Sequence, residues 1–156
     1  MDIREKLAQA ISKNQPDAIR ELLNRRQQRG RVNEQQPSTG STPLSNAALY
    51  GHKDIAEILI RRGADVNGTN RDGNTPLHVA AFLCRADIVK LLLEKGASPT
   101  KDNRRGESAI EVVAGDWDDR LAAFYNGIAN AVEIKIDLKE IQKQRPKIKA
   151  LLEQAK

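Results

Sequence analysis

Aromatic side chains are scarce: one Trp, two Tyr and two Phe account for 3% of 156 residues. A single dense core draws on such bulk, so a thin stack of small-residue helices is the better expectation. Cys84 is the only cysteine, which excludes an intramolecular disulfide and fits a reducing compartment. No apolar run is long enough to span a bilayer. Acids come early and no apolar segment of a secretory signal follows, so the expected location is cytoplasmic. There is no glycine-rich phosphate loop and no Cys/His ligand spacing. Neither a cofactor nor a metal is expected.

Charge is plentiful by contrast. Asp, Glu, Lys and Arg make up 30% of the chain, with a net charge of +5. That balance points weakly to a neutral or acidic partner surface. The informative feature is a period. T-P-L-S-N-A-A at 42–48 recurs as T-P-L-H-V-A-A at 75–81, 33 positions later, and another 33 positions lead to S-A-I-E-V-V-A at 108–114. After each of the first two come an apolar helical stripe and a glycine, ending at Gly63 and Gly96. A fixed period of this size means stacked supersecondary units. Residues and period together resemble the ankyrin-repeat family. The expected fold is therefore all-α: a solenoid of about four helix-turn-helix units with a C-terminal helical cap.

The units read as follows. Residues 1–41 form an N-terminal cap unit with an extended loop. Ile3, Leu7, Ala10 and Ile11 share one helical face, Asn14 takes the turn, and Ile19, Leu22 and Leu23 face inward on the next helix. Glu21 replaces an apolar residue, as a solvent-facing end unit needs. The offset between Asn14 and Gly51 is 37, so four residues are extra, and the second helix is expected to run on to about Arg29. Pro37 and Ser38 mark a mobile loop tip. Residues 42–74 and 75–107 are regular repeats, with Thr42 and Thr75 as N-caps and Pro43 and Pro76 at the first helical position. Cys84 stands where the preceding unit has Gly51, which implies mild strain or a shifted turn.

Residues 108–131 read as a degenerate repeat opened by a Ser108–Glu111 capping box. Leu121, Phe124, Tyr125 and Ile128 then follow at helical spacing. Residues 132–156 form the cap. Asp137 and Glu140 are spaced as a second capping box, and Arg145–Pro146 interrupts the pattern, giving one kinked helix or two short ones. The alternation at 132–136 resembles a strand with nothing to pair with.

No catalytic residues are assigned. The resemblance makes His52 and His78 structural positions, and no serine, cysteine or acid is spaced to make either a catalytic base. Asp116, Asp118 and Asp119 lack the ligand ladder of a calcium loop and read as a polar turn with an N-cap. Basic groups at Arg25, Arg26, Arg29 and Arg31, at Arg104 and Arg105, and along 135–149 allow an alternative of nucleic-acid or polyanion binding. Interleaved acids and the lack of aromatics among them favour a solvated face.

The resemblance also implies where a partner docks: on a concave face made by the turn tips and the ends of the first helices. Here the tips supply Arg71, Asp72, Asn74, Arg104, Arg105 and Glu107, and the helix ends supply Leu49, Tyr50, Phe82, Leu83 and Asp116. Large apolar residues at helix ends gain little unless something covers them. The competing reading is that they pack against neighbouring units. The expected function is a monomeric, non-catalytic protein-protein interaction module for a protein partner, with no membrane and no nucleic acid involved.

Overall fold

The computed structural model describes residues 2–24 and 26–156. Arg25 and the side chains of Arg26 and Arg29, named above among the basic groups, lie outside that description. Nine α-helices and one 3₁₀ helix occur among the described residues, and no strand. In order they are α1 (Ile3–Ser12), α2 (Pro16–Asn24), the 3₁₀ helix (Arg26–Asn33), α3 (Pro43–Tyr50), α4 (Lys53–Arg61), α5 (Pro76–Phe82), α6 (Ala86–Glu94), α7 (Glu111–Ala114), α8 (Asp119–Ala131) and α9 (Leu138–Glu153). None is long and apolar enough to cross a membrane.

The helices stack in two layers. α1, α3, α5 and α7 pack in sequence as one layer; α2, α4, α6 and α9 form the other. One continuous core runs between them from Ile3 to Leu152. Alanines such as Ala47, Ala48, Ala80 and Ala81 are buried where successive first helices meet, so the layer spacing depends on their small volume. Leu44, Ile55, Leu59, Leu77, Ile88 and Leu92 fill the space between layers and are fully buried. Each contributes roughly 1.5–3 kcal/mol by leaving water.

Local chemistry starts and stops these helices. Thr42 Oγ1 accepts from Ser45 N at 3.1 Å, and Pro43 follows at the first helical position. The turn between paired helices requires a left-handed residue. Gly51 meets it with φ 76°, Asn14 with φ 51° and Cys84 with φ 54°. Cysteine therefore holds the strained conformation and the turn is not shifted. Units are tied in register by a repeated asparagine. Asn33 donates to Gly63 O at 3.0 Å and accepts from Asp65 N at 2.7 Å. Asn67 does the same with Gly96 O at 3.2 Å and Ser98 N at 2.9 Å.

Two expectations need correction, and one left between two forms is resolved. The second helix does not continue to Arg29: α2 stops at Asn24 and a 3₁₀ helix spans Arg26–Asn33. The 3₁₀ helix carries the extra residues and ends with Val32 buried in the core. The Asp137–Glu140 pair is only half a capping box. Asp137 accepts from Lys139 N and Glu140 N, but the Glu140 carboxylate turns to Gln144 and Lys143. Finally, α9 is one helix that runs through Pro146. It buries Ile141, Arg145, Ile148 and Leu152 along one side, and that packing holds the helix together across the missing backbone donor.

α9 takes the place beside α7 that α6 takes beside α5. The second helix of the fourth unit is thus supplied late in the chain. The stretch from Gly115 to Asp137, including α8, is inserted between the two helices of that unit.

Candidate functional site

The site is built on α5. Thr75 caps it, and His78 closes a capping box: its Nδ1 accepts from Thr75 N at 3.1 Å. The Nε2 of His78 then lies 2.9 Å from the carbonyl oxygen of Glu107. A carbonyl only accepts, so the proton sits on Nε2 and Nδ1 is the acceptor. Burial pushes the His78 pKa down, partly offset by that carbonyl. The neutral ring pins the turn tip at 103–107 to the helix before it. His52 is likewise shifted down by burial and stacks against Tyr50, ring centroids 6.1 Å apart. Thr75 Oγ1 also lies 2.8 Å from His78 Nδ1, inside the same capping box.

The turn tips are stacked and mutually bonded. Asn70 Oδ1 accepts from Asp72 N at 3.0 Å and Asn74 N at 2.9 Å, and Asn103 Oδ1 accepts from Arg105 N at 2.9 Å and Glu107 N at 3.0 Å. Arg104 N donates to Asp72 O at 2.9 Å across the two tips. Asn103 Nδ2 donates to Asn74 Oδ1 at 2.9 Å. Arg71 is exposed. Its guanidinium donates to Ser38 O at 3.1 Å and to Pro37 O, tying the first tip to the second.

Between the last two tips, α5, α7 and α8 lies an open cleft of about 440 Å³. Of the residues expected at a docking strip, Leu49, Asn74, Phe82, Leu83, Arg105, Glu107 and Asp116 line it. Arg105 and Glu107 form a 3.0 Å ion pair on its rim. Tyr50 is not among them. It packs against the main core and borders a second groove with Ser12, His52 and Arg85. Arg71, Asp72 and Arg104 do not line the cleft.

The apolar helix ends are covered, and the cover is the chain itself. Tyr125 of α8 is fully buried and stacks on Phe82, ring centroids 4.2 Å apart and planes 8° from parallel. Trp117 stacks on Tyr125 from further out at 5.6 Å. Tyr125 and Ile141 gather Leu49, Phe82 and Leu83 into a small cluster separate from the main core. Phe124, next to Tyr125, lies on the cleft side. It meets Phe82 edge-on at 5.7 Å yet stays 53% exposed, the largest exposed apolar side chain among the described residues.

Polar side chains close the helix ends around this cluster. The last carbonyls of a helix lack internal donors. Arg85 Nη2 donates to Leu49 O at 3.2 Å, Tyr125 Oη donates to Phe82 O at 2.5 Å, and Arg145 donates to Val112 O at 3.4 Å and Gly115 O at 3.1 Å. Arg145 is only 4% exposed and also donates to Tyr125 Oη at 2.9 Å. Burial lifts the Tyr125 phenol to about 12 and the Cys84 thiol to about 11. At the α7–α8 turn, Asp118 caps α8 by accepting from Leu121 N at 2.7 Å, which also holds its carboxyl below the usual range. Among the described residues no group of three His, Cys, Asp or Glu is placed to hold a metal.

Sequence reasoning missed α8 as a wall of the cleft. Leu121, Phe124 and Ile128 line it alongside Val79 and Val112. The helical spacing of the first three was visible, but not what they face. Nothing in the sequence marked Arg145 as buried.

A family model described as ankyrin repeats matches residues 7–103 in three copies. No curated protein sequence matches the chain. Among solved structures, one similar fold is the crystal structure of the ankyrin repeat domain of Bcl-3, titled a unique member of the IkappaB protein family. The TM-score is 0.65 at 20% identity, and the match covers 81% of this chain and 56% of that one. The chain thus spans little more than half of that domain, and at this identity the likeness bears on the fold alone.

Proposed function

Because the chain belongs to the ankyrin-repeat family, we propose that it is a non-catalytic module that binds a protein partner in the cleft between its turn tips and α8. Ankyrin repeats are generally protein-protein interaction modules. The observation that carries the reading is the convergence of Leu49, Asn74, Phe82, Leu83, Arg105, Glu107 and Asp116 on one cleft of about 440 Å³. An apolar floor with a polar rim is the composition that concentrates binding energy. The tips that form the rim are hydrogen-bonded to one another, so little ordering cost accompanies docking.

The test uses rim residues. A partner captured by the wild-type chain is titrated against Asn74→Arg and Arg105→Glu, each checked for unchanged helicity. Affinity is expected to fall at least about tenfold, on the order of 1.4 kcal/mol. Unchanged affinity for both variants removes the cleft as the docking surface.

The polyanion alternative has less behind it. Arg31 pairs with Asp2 and Glu34, Arg61 with Glu57, and Arg105 with Glu107. Generic DNA and RNA at low salt are expected to show no measurable binding; affinity with a steep salt slope would reverse the choice.

A further inference from the structure

The two layers of the stack are complete without α8. α9 supplies the second helix of the fourth unit, and the main core contains no α8 residue. α8 nevertheless lies on the surface where the family docks its partners, and it covers Phe82 and Leu83 with an aromatic ring. Its attachment is narrow. Tyr125 provides the ring stack, the bond to Phe82 O and the acceptor for Arg145. Phe124 beside it touches Phe82 only edge-on, lines the open cleft and stays 53% exposed. The helix itself is weakly predisposed, with Asn126, Gly127 and Asn130 inside it. The connections at its two ends are irregular: Gly115 is extended, and Glu133 holds a left-handed φ of 55°, a strained conformation for a residue with a side chain.

We propose that α8 is a displaceable strap, holding in cis the seat of a partner's amphipathic helix. That helix sets an aromatic side chain on Phe82 where Tyr125 now lies. The occupant is argued from what already sits there: an amphipathic helix with a ring on Phe82 and a hydroxyl on its carbonyl. Opening the strap exposes Leu49, Phe82 and Leu83 while the stack stays closed behind them. A tethered occupant competes at an effective concentration on the order of millimolar. A partner therefore engages only if it outbids that local helix, or if the strap is already loosened. This rests on the protein-binding reading above, but the two can fail separately. Rim variants that lose a partner while strap variants leave its affinity unchanged would retire the strap and keep the module.

The experiment has two arms, both on the full chain. In the first, native-state hydrogen exchange is measured on the wild type. Amides of α8 are expected to be at least about 100-fold less protected than those of α5 and α9, as a separately opening unit requires. In the second, a labelled peptide of residues 117–137 is titrated against wild type and Tyr125→Ala. The variant is expected to bind it at least about tenfold more tightly, and adding Phe82→Ala is expected to abolish the gain. Equal protection of α5, α8 and α9 overturns the proposal. So does equal peptide affinity for the two chains, or a gain that survives loss of Phe82. The exchange arm needs no variant, so a Tyr125→Ala chain that fails to fold leaves it decisive.

Discussion

Tyr125 lies flat on Phe82, and its hydroxyl donates to the carbonyl oxygen of that same residue over 2.5 Å. The Tyr125 hydroxyl oxygen also accepts from Arg145 at 2.9 Å. One phenol thereby joins α5, α8 and α9. Tyr125→Phe keeps the ring and removes both bonds, leaving a buried guanidinium one acceptor short. The expected loss is about 1–3 kcal/mol, read as reduced protection of α8 amides with α4 and α6 unaffected. A uniform loss across all helices would mean that α8 is integral to the stack.

The same phenol titrates late. Burial places its folded pKa at about 12, above the ordinary value of 10.0. The native state therefore holds the proton more tightly than the unfolded state. Its contribution to stability is intact below pH 10 and is lost between there and about 12. Ultraviolet titration is expected to show a tyrosine step near pH 12 that disappears in Tyr125→Phe.

His78 works in the opposite direction. Its folded pKa is depressed by burial from 6.5, so its stabilisation is present above that value and declines as pH falls through the folded pKa. Unfolding by urea at stepped pH is expected to show this decline. His78→Ser, which copies the Ser45 of the unit before, should flatten the part due to His78. It should also cost about 1–3 kcal/mol at neutral pH, because the bond to Glu107 O is lost. An unchanged pH slope in that variant would falsify the assignment.

Two glycines separate steric from conformational demand. Both Gly73 and Gly96 have positive φ, at 77° and 87°. A Cβ on Gly73 would sit 2.9 Å from the backbone nitrogen of Arg104, whereas Gly96 has nothing within 4 Å. Gly96→Ala carries only the left-handed cost of about 1–2 kcal/mol. Gly73→Ala adds a backbone collision and should cost clearly more, with loss of register between tips. Thermal melts of the pair provide the comparison.

Cys84 holds its turn at φ 54°. Glycine there relieves a cost of about 1–2 kcal/mol but gives up the sulfur's place against Ile141. Cys84→Gly is expected to stay within about 1 kcal/mol of wild type, while β-branched Cys84→Val is expected to lose distinctly more. With its pKa raised to about 11, the thiol should also react sluggishly with disulfide reagents at pH 8.

Much of the architecture was legible from spacing alone. Thr42 and Thr75 cap helices, Gly63 and Gly96 terminate them in left-handed geometry, and Ser108 and Glu111 form their capping box. These are local rules: a cap or a turn is decided within a few residues and repeats every time the pattern does. The docking strip was legible only in part. Its members were identified by their positions in the unit, but whether Phe82 and Leu83 met water or another helix was not a local question. The pairing of Arg71 with the first tip and the burial of Arg145 against α7 lie in the same class, because each joins residues some thirty positions apart.

By itself, then, the sequence determined the unit, its period and its caps, since short-range hydrogen bonding and side-chain volume control them. Tertiary structure alone decided that α9 completes the fourth unit and that α8, displaced from the stack, comes to rest on Phe82. Both outcomes depend on competition between distant apolar faces for the same buried surface. Ile148 and Leu152 of α9 join the main core where that helix packs beside α7, and Tyr125 of α8 is left to cover the face that remains.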